Sequence, residues 1–110
     1  MQALARAIPK LPEPDRGKVR AALIQRLGRV PVDVLRESLH DSNVELRRAA
    51  AAACVTRNDA SLVADLIPLL RDAEPTITAE ALASLRQLSG EDLGDSAAAW
   101  EEWSKAADPE

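Results

Sequence analysis

The spacing of apolar residues along the chain is helical. Val19, Leu23 and Leu27, with Ala22 beside them, recur at steps of three and four, which places them on one side of a helix. Two further stripes follow, formed by Leu46, Ala50, Ala53 and Cys54 and by Ile77, Ala81, Leu85 and Leu88. No segment alternates apolar and polar residues for long enough to predict an amphipathic strand. The pattern therefore predicts an all-α protein.

Prolines, glycines and capping residues divide this pattern into separate helices. Gly28 followed by Pro31 is typical of one helix end and the next helix start. The segment 41–43 offers side-chain acceptors for the first amides of the helix that follows it. We predict seven helices, at about residues 2–9, 15–28, 31–40, 43–56, 60–71, 75–89 and 96–106.

The sequence also repeats itself. Shifting it by 31 residues superimposes Leu39–Ala50 on Leu70–Ala81. Both copies have a leucine, an aspartate two residues later, a polar turn and then an alanine-rich helix. A looser copy of the helix begins at Val19. Repetition at this period is typical of solenoid proteins.

These residues resemble the HEAT-repeat family, whose unit is an outer helix, a turn and an inner helix. Segment 62–77 looks much like one such unit, with Pro68 in its outer helix. The resemblance implies a right-handed α-α superhelix in a single domain, 1–110. It would contain three helix pairs, at about residues 1–28, 31–56 and 60–89, and a C-terminal capping helix at 96–106.

The resemblance also implies a ladder of ion pairs between the turn of one repeat and the inner helix of another. Turn aspartates and helix arginines of the family pattern match Asp41, Asp72, Arg20 and Arg47. Thr78 stands where the third arginine would be, so we expect the ladder to end there. We expect Arg47→Ala to destabilise the protein more than Arg57→Ala.

The C-terminal segment 88–94, followed by Trp100 and Trp103, resembles a closing segment of some bacterial HEAT-repeat proteins. The two tryptophans lie three residues apart on one helical face. One interpretation is a partner contact, because tryptophan is enriched at binding hot spots. The favoured alternative is a cap that covers the last repeat.

Charge is distributed unevenly along the chain. Residues 1–30 carry seven basic and two acidic side chains, whereas residues 61–110 carry three basic and eleven acidic ones. The candidate polyanion contact is a basic cluster of Arg16, Lys18, Arg20, Arg26 and Arg29. Nucleic acid is nevertheless a disfavoured partner, because the net charge is −4 and no aromatic cluster is present for base stacking.

No catalytic motif is recognised, so we expect no enzyme activity, no cofactor and no metal. His40 is the single histidine, and its position at a helix end suits the helix dipole. Cys54 is the single cysteine, which excludes an internal disulfide, and it is expected to be a small buried residue. The acidic residues 91–102 lack the spacing of a calcium-binding loop.

The expected function is a non-catalytic scaffold or adaptor that binds another protein through the solenoid surface. The alternatives are an accessory structural subunit of a larger assembly and a polyanion binder at the basic N-terminal end. Candidate partner contacts are Arg16, Lys18, Arg26, Arg29, Trp100 and Trp103. Self-association stays open. We expect a cytoplasmic location without membrane contact, because no apolar run approaches the ~20 residues of a membrane span.

Overall fold

Every regular element of the computed structural model is helical over residues 2–107, the part of the chain that it describes. The α-helices are α1 Gln2–Ala7, α2 Asp15–Leu27, α3 Val32–Ser38, α4 Val44–Arg57, α5 Val63–Leu66, α6 Pro75–Ser89 and α7 Ala97–Ala107. Segments of 3-10 helix cover Ile8–Lys10, Ala60–Leu62 and Ile67–Arg71. The predicted all-α class is confirmed.

The helices form two rows. Helix α4 lies in the middle of the inner row, with α2 packed on one side and α6 on the other. In the outer row, α1 packs on α2 and α4, α3 packs on α4, and α5 packs on α6. Helix α7 packs mainly on α5 and on the 3-10 segment Ile67–Arg71. It therefore continues the outer row rather than the inner one.

Helix ends in the inner row are fixed by side chains and by backbone geometry. Asn43 Oδ1 accepts the N–H of Glu45 at 2.9 Å, which satisfies a free amide at the start of α4. Asn58 ends the same helix in the left-handed region, with φ of 51°. Pro75 begins α6 and Gly90, with φ of 75°, ends it. Glycine adopts this conformation without strain because it has no Cβ.

Prolines shorten the outer helices. The helices predicted over 2–9 and 60–71 are not continuous, because each changes to 3-10 helix where a proline enters. Pro9 and Pro68 both lie in the first turn of such a segment. Proline has no N–H to donate and its ring clashes with an α-helical carbonyl. Pro68 lies in the outer row, as the resemblance to HEAT repeats implies. The continuous helix predicted over 60–71 was wrong.

The core between the rows consists mainly of leucine, isoleucine and alanine. Leu66 of the outer row and Leu85 of the inner row are fully buried. Ala50, Ala51 and Ala53 give α4 a surface of small side chains, so neighbouring helices approach it closely. The one difference from the predicted stripes is Ala22, which is exposed on α2.

Candidate functional site

Arg47 connects α4 to the turn before α6. Its Nε lies 2.9 Å from Asp72 Oδ2 and its Nη2 lies 3.3 Å from Oδ1, which is a two-pronged ion pair. Its Nη1 donates to the backbone carbonyls of Asp41, at 2.9 Å, and Ser42, at 3.1 Å. One guanidinium therefore satisfies acceptors in two successive turns.

Asp72 is stabilised in its charged form at this position. Partial burial opposes its ionisation, but the backbone N–H of Glu74 and the Arg47 guanidinium outweigh that cost, and the pKa of Asp72 is lowered. The same carboxylate accepts the Glu74 N–H at 2.9 Å, just before α6 begins. Asp72 thus orders a turn and joins two inner helices.

Arg20 makes the corresponding connection between α2 and α4, but to a different residue. Its Nε and Nη2 donate to the two carboxylate oxygens of Glu45, at 3.0 and 2.8 Å. Asp41, which the ladder pattern places beside an arginine, forms no ion pair within residues 2–107. Its carboxylate instead accepts from Gln2 Nε2 and from the N–H of Asn43, both at 2.8 Å. Asp41 is therefore a turn residue, and the ladder role proposed for its side chain is corrected.

A second ladder, which the sequence did not indicate, joins the outer row. Arg36 Nε donates to Asp65 Oδ2 at 3.0 Å, which links α3 to α5. Arg71 donates to Glu101 and links the 3-10 segment to α7. In both rows the arginine belongs to the earlier element and the carboxylate to the later one. A search for arginine and acid about 29 or 30 residues apart would have found this second ladder.

Arg57 also has a structural role that the sequence did not reveal. Its Nη1 lies 2.6 Å from the carbonyl oxygen of Val30 and 3.2 Å from that of Gly28. The end of α4 is thereby tied to the turn between α2 and α3. Arg57→Ala would therefore also remove structural hydrogen bonds, and the expectation that Arg47→Ala destabilises the protein more stays a prediction.

The candidate binding face is the solvent side of the inner row. All three inner helices contribute to one shallow hollow of about 110 Å³. Its floor contains the small residues Ala49 and Ala52, and Ile24 forms an apolar wall. The charged residues around it are Arg20, Glu45, Arg48 and Glu80. Arg20 and Glu45 pair with each other, which leaves a charge of each sign at the rim.

Arg48 and Glu80 are those remaining charges. Within residues 2–107, neither side chain forms an ion pair or a side-chain hydrogen bond, and both are half-buried. They lie on α4 and α6, so they flank the hollow from two helices. The arrangement can accept an apolar side chain between one acidic and one basic group of a ligand.

The basic residues predicted as partner contacts do not form one cluster. Arg16 lies beside Glu13, with 3.3 Å between Nε and Oε1, and Arg20 is committed to Glu45. Lys18, Arg26 and Arg29 are exposed. No ion pair involves these three side chains in the part of the chain that the structure describes. They lie on α2 and at the turn that follows it.

The two tryptophans differ in their surroundings. Trp100 is fully buried, and its indole N–H donates to the carbonyl of Gly94 at 2.8 Å. It offers no surface to a partner, so its assignment as a partner contact is corrected in favour of the alternative, a cap, which here covers the outer row through α5 and the segment Ile67–Arg71. Trp103 packs edge-on against it, with 5.9 Å between ring centroids, and remains half-buried.

The single cysteine, Cys54, lies in the core. Cys54 is buried in α4, and this burial raises the pKa of its thiol to about 12. The sulfur is therefore protonated at neutral pH.

Over residues 2–107, no three side chains of histidine, cysteine, aspartate or glutamate converge in a group that could hold a metal ion. Among the same residues, no helix has both the length and the apolar character needed to cross a membrane.

The family model described as HEAT repeats matches residues 32–100, more than half of the chain. Together with the two rows of helices, this match shows that the chain belongs to the HEAT-repeat family. Neither the curated proteins nor the solved structures include a match to the chain.

Proposed function

We propose that this protein is a non-catalytic adaptor that binds another protein through the solvent side of α2, α4 and α6. HEAT repeats generally mediate protein–protein interaction and are typically non-catalytic. The observation that carries the proposal is the hollow shared by the three inner helices. Solenoids use the surface formed by successive inner helices to bind extended partners.

The size and charge of the hollow define the expected ligand. An engineered cavity of about 150 Å³ accommodates benzene, so a hollow of about 110 Å³ has room for roughly one aliphatic side chain. Arg48 and Glu80 favour ligand groups of opposite sign on either side of that chain. We therefore propose a protein segment with an apolar anchor between an acidic and a basic residue.

A substitution that fills the hollow tests this proposal. Ala52→Arg places a long side chain on its floor, and Ala64→Arg on the exposed side of α5 is the matched control. Both variants are used as bait with extracts of the source cells, and captured proteins are identified by mass spectrometry. We expect a protein that the unchanged chain and Ala64→Arg retain and that Ala52→Arg loses. Equal capture by both variants, with circular dichroism showing both folded, would reject the inner face as the binding surface.

Polyanion binding is the second candidate. It is supported by Lys18, Arg26 and Arg29, which are exposed and without ion pairs in the described part of the chain. The overall charge of −4 opposes it, since polyanion affinity arises from neutralised phosphates. Fluorescence anisotropy with a labelled RNA at low and high salt would favour this role only if salt-sensitive binding is lost on replacing these three residues by glutamine.

A further inference from the structure

One side of α6 is left without a neighbouring inner helix. Helix α2 packs against α4, and α4 packs against α6, but α7 packs in the outer row and does not follow α6. Over residues 2–107, the far side of α6 is instead a groove of about 330 Å³, lined by Leu70, Thr78, Ala79, Leu82 and Asp95. Leu82 is half-buried there, and Ala79 is exposed.

The groove is acidic along one edge. Asp95 lines it directly, and Glu91 and Asp92 precede it in the same loop. Asp92 accepts from Arg86 Nε at 2.9 Å, so its charge is already paired, whereas the side chains of Glu91 and Asp95 form no ion pair within residues 2–107. Ala79 keeps the α6 backbone accessible to a closely packed helix. The face therefore favours a helix that has a small residue at its centre and cations around it.

Helix α2 has these properties on the side that faces away from α4. Lys18, Ala22 and Arg26 recur at steps of four, which makes one helical stripe, and Arg29 follows in the turn after α2. All four residues are exposed. No ion pair within residues 2–107 involves the three cations. The stripe thus has a small residue between positive charges, complementary to Ala79, Leu82 and Asp95.

We propose that the α2 stripe of a second copy of this chain docks against the α6 groove, in the place of the next inner helix. The contact joins two different surfaces, and every copy carries both the α2 stripe and the α6 groove. Each copy can therefore bind one neighbour at each end, and the assembly grows head to tail. Charge complementarity steers the copies together, and the small apolar area keeps the contact weak. This surface is separate from the hollow of the inner row, so either proposal can fail alone.

Sedimentation velocity measures the proposed association. We expect the unchanged chain, at about 0.5 mM, to form species that grow with concentration, because this approaches a Kd as weak as about 1 mM. The association should be lost between about 0.01 M and about 1 M salt, where the screening length falls from about 30 to about 3 Å. A monomer at both salt concentrations would overturn the proposal.

Two variants that each block one end distinguish head-to-tail docking from other contacts. One carries Lys18→Gln, Arg26→Gln and Arg29→Gln, and the other carries Ala79→Arg and Asp95→Lys. Each should sediment as a monomer alone, and an equimolar mixture should form a one-to-one dimer that grows no further. Continued self-association of either variant, or a mixture that stays monomeric, would contradict the proposal. Circular dichroism checks folding, and Asp95→Lys alone serves if the double variant unfolds.

The same variants separate a second copy from nucleic acid. Anisotropy with a labelled RNA is measured for the unchanged chain and for the glutamine variant. We expect no RNA binding at micromolar protein, a concentration far below the Kd of about 1 mM at which the copies associate. Tight RNA binding by a chain that stays monomeric even at about 0.5 mM would assign the α2 stripe to a polyanion and overturn the proposed contact between copies.

Discussion

The inner and outer rows use the same kind of ion pair at different depths. In the inner row, the side chains of Arg47 and Asp72 are 17% and 11% exposed. In the outer row, those of Arg71 and Glu101 are 57% and 41% exposed. Exposed ion pairs contribute little because water and salt screen them, whereas partly buried, two-pronged pairs are stronger. The inner ladder is therefore expected to stabilise the fold and the outer one to contribute little.

The inner and outer rows also differ in the length of their helices. The inner helices have 13, 14 and 15 residues, whereas α1, α3 and α5 have six, seven and four. Proline interrupts two outer elements, at Pro9 and Pro68, and none of the inner helices contains an internal proline. The inner row thus supplies a regular surface, while the outer row packs behind it in short segments, apart from the 11-residue α7.

The largest expected effects come from the core, where the rows should not differ. Trp100→Ala should lower the free energy of unfolding by about 3–5 kcal/mol, and Leu66→Ala and Leu85→Ala by about 2–5 kcal/mol each. All three side chains are fully buried. Urea titrations followed by far-ultraviolet circular dichroism measure these changes, with the exposed Gln25→Ala as control. Losses as small as the control's would show that the helical phase is wrong.

The ladders should separate the two rows. Arg47→Ala should destabilise the protein by about 1.5–3 kcal/mol, since a charged hydrogen-bonding group is lost and Asp72 is left without it. Arg71→Ala should give no change that the same titration resolves. Double-mutant cycles with Asp72→Ala and Glu101→Ala isolate the two pair energies. Equal coupling in both cycles would remove the distinction between rows.

Lowering the pH should also distinguish the inner ion pair of Asp72 from the outer ion pair of Glu101, with a smaller change in stability. The pKa of Asp72 lies below its ordinary value of 3.8, so its contribution is fully present above about pH 3.8 and is lost as pH falls through the folded-state value. Asp72→Asn should therefore reduce the loss of stability below pH 4. Glu101→Gln should matter less and only at low salt, although the Arg71 hydrogen bond lowers the pKa of Glu101 too. A steeper acid loss in Asp72→Asn than in the unchanged chain would contradict this assignment.

Much of the helix pattern could be predicted from sequence because local signals agree with the fold. Apolar periodicity and the capping residue Asn43 placed α4 within about a residue of its observed limits. The hydrogen-bond partners of side chains were harder to predict, because they depend on how far neighbouring helices are shifted relative to each other. Arg20 reaches Glu45 rather than Asp41 for this reason, and Arg57 bonds to carbonyls that leave no mark in the sequence. The open hollow likewise arises from three helices distant in sequence.

The proposed binding face is tested most directly by a photo-crosslinking residue introduced at Ala52, on the floor of the hollow, and separately at Ala64, on the outer row. Each protein is irradiated with the extract that supplies its partner, and adducts are resolved by mass. We predict one defined adduct from position 52, competed away by excess unlabelled protein, and none from position 64. An adduct of equal yield from position 64, or none from position 52 when position 64 reacts, would contradict binding through the inner row.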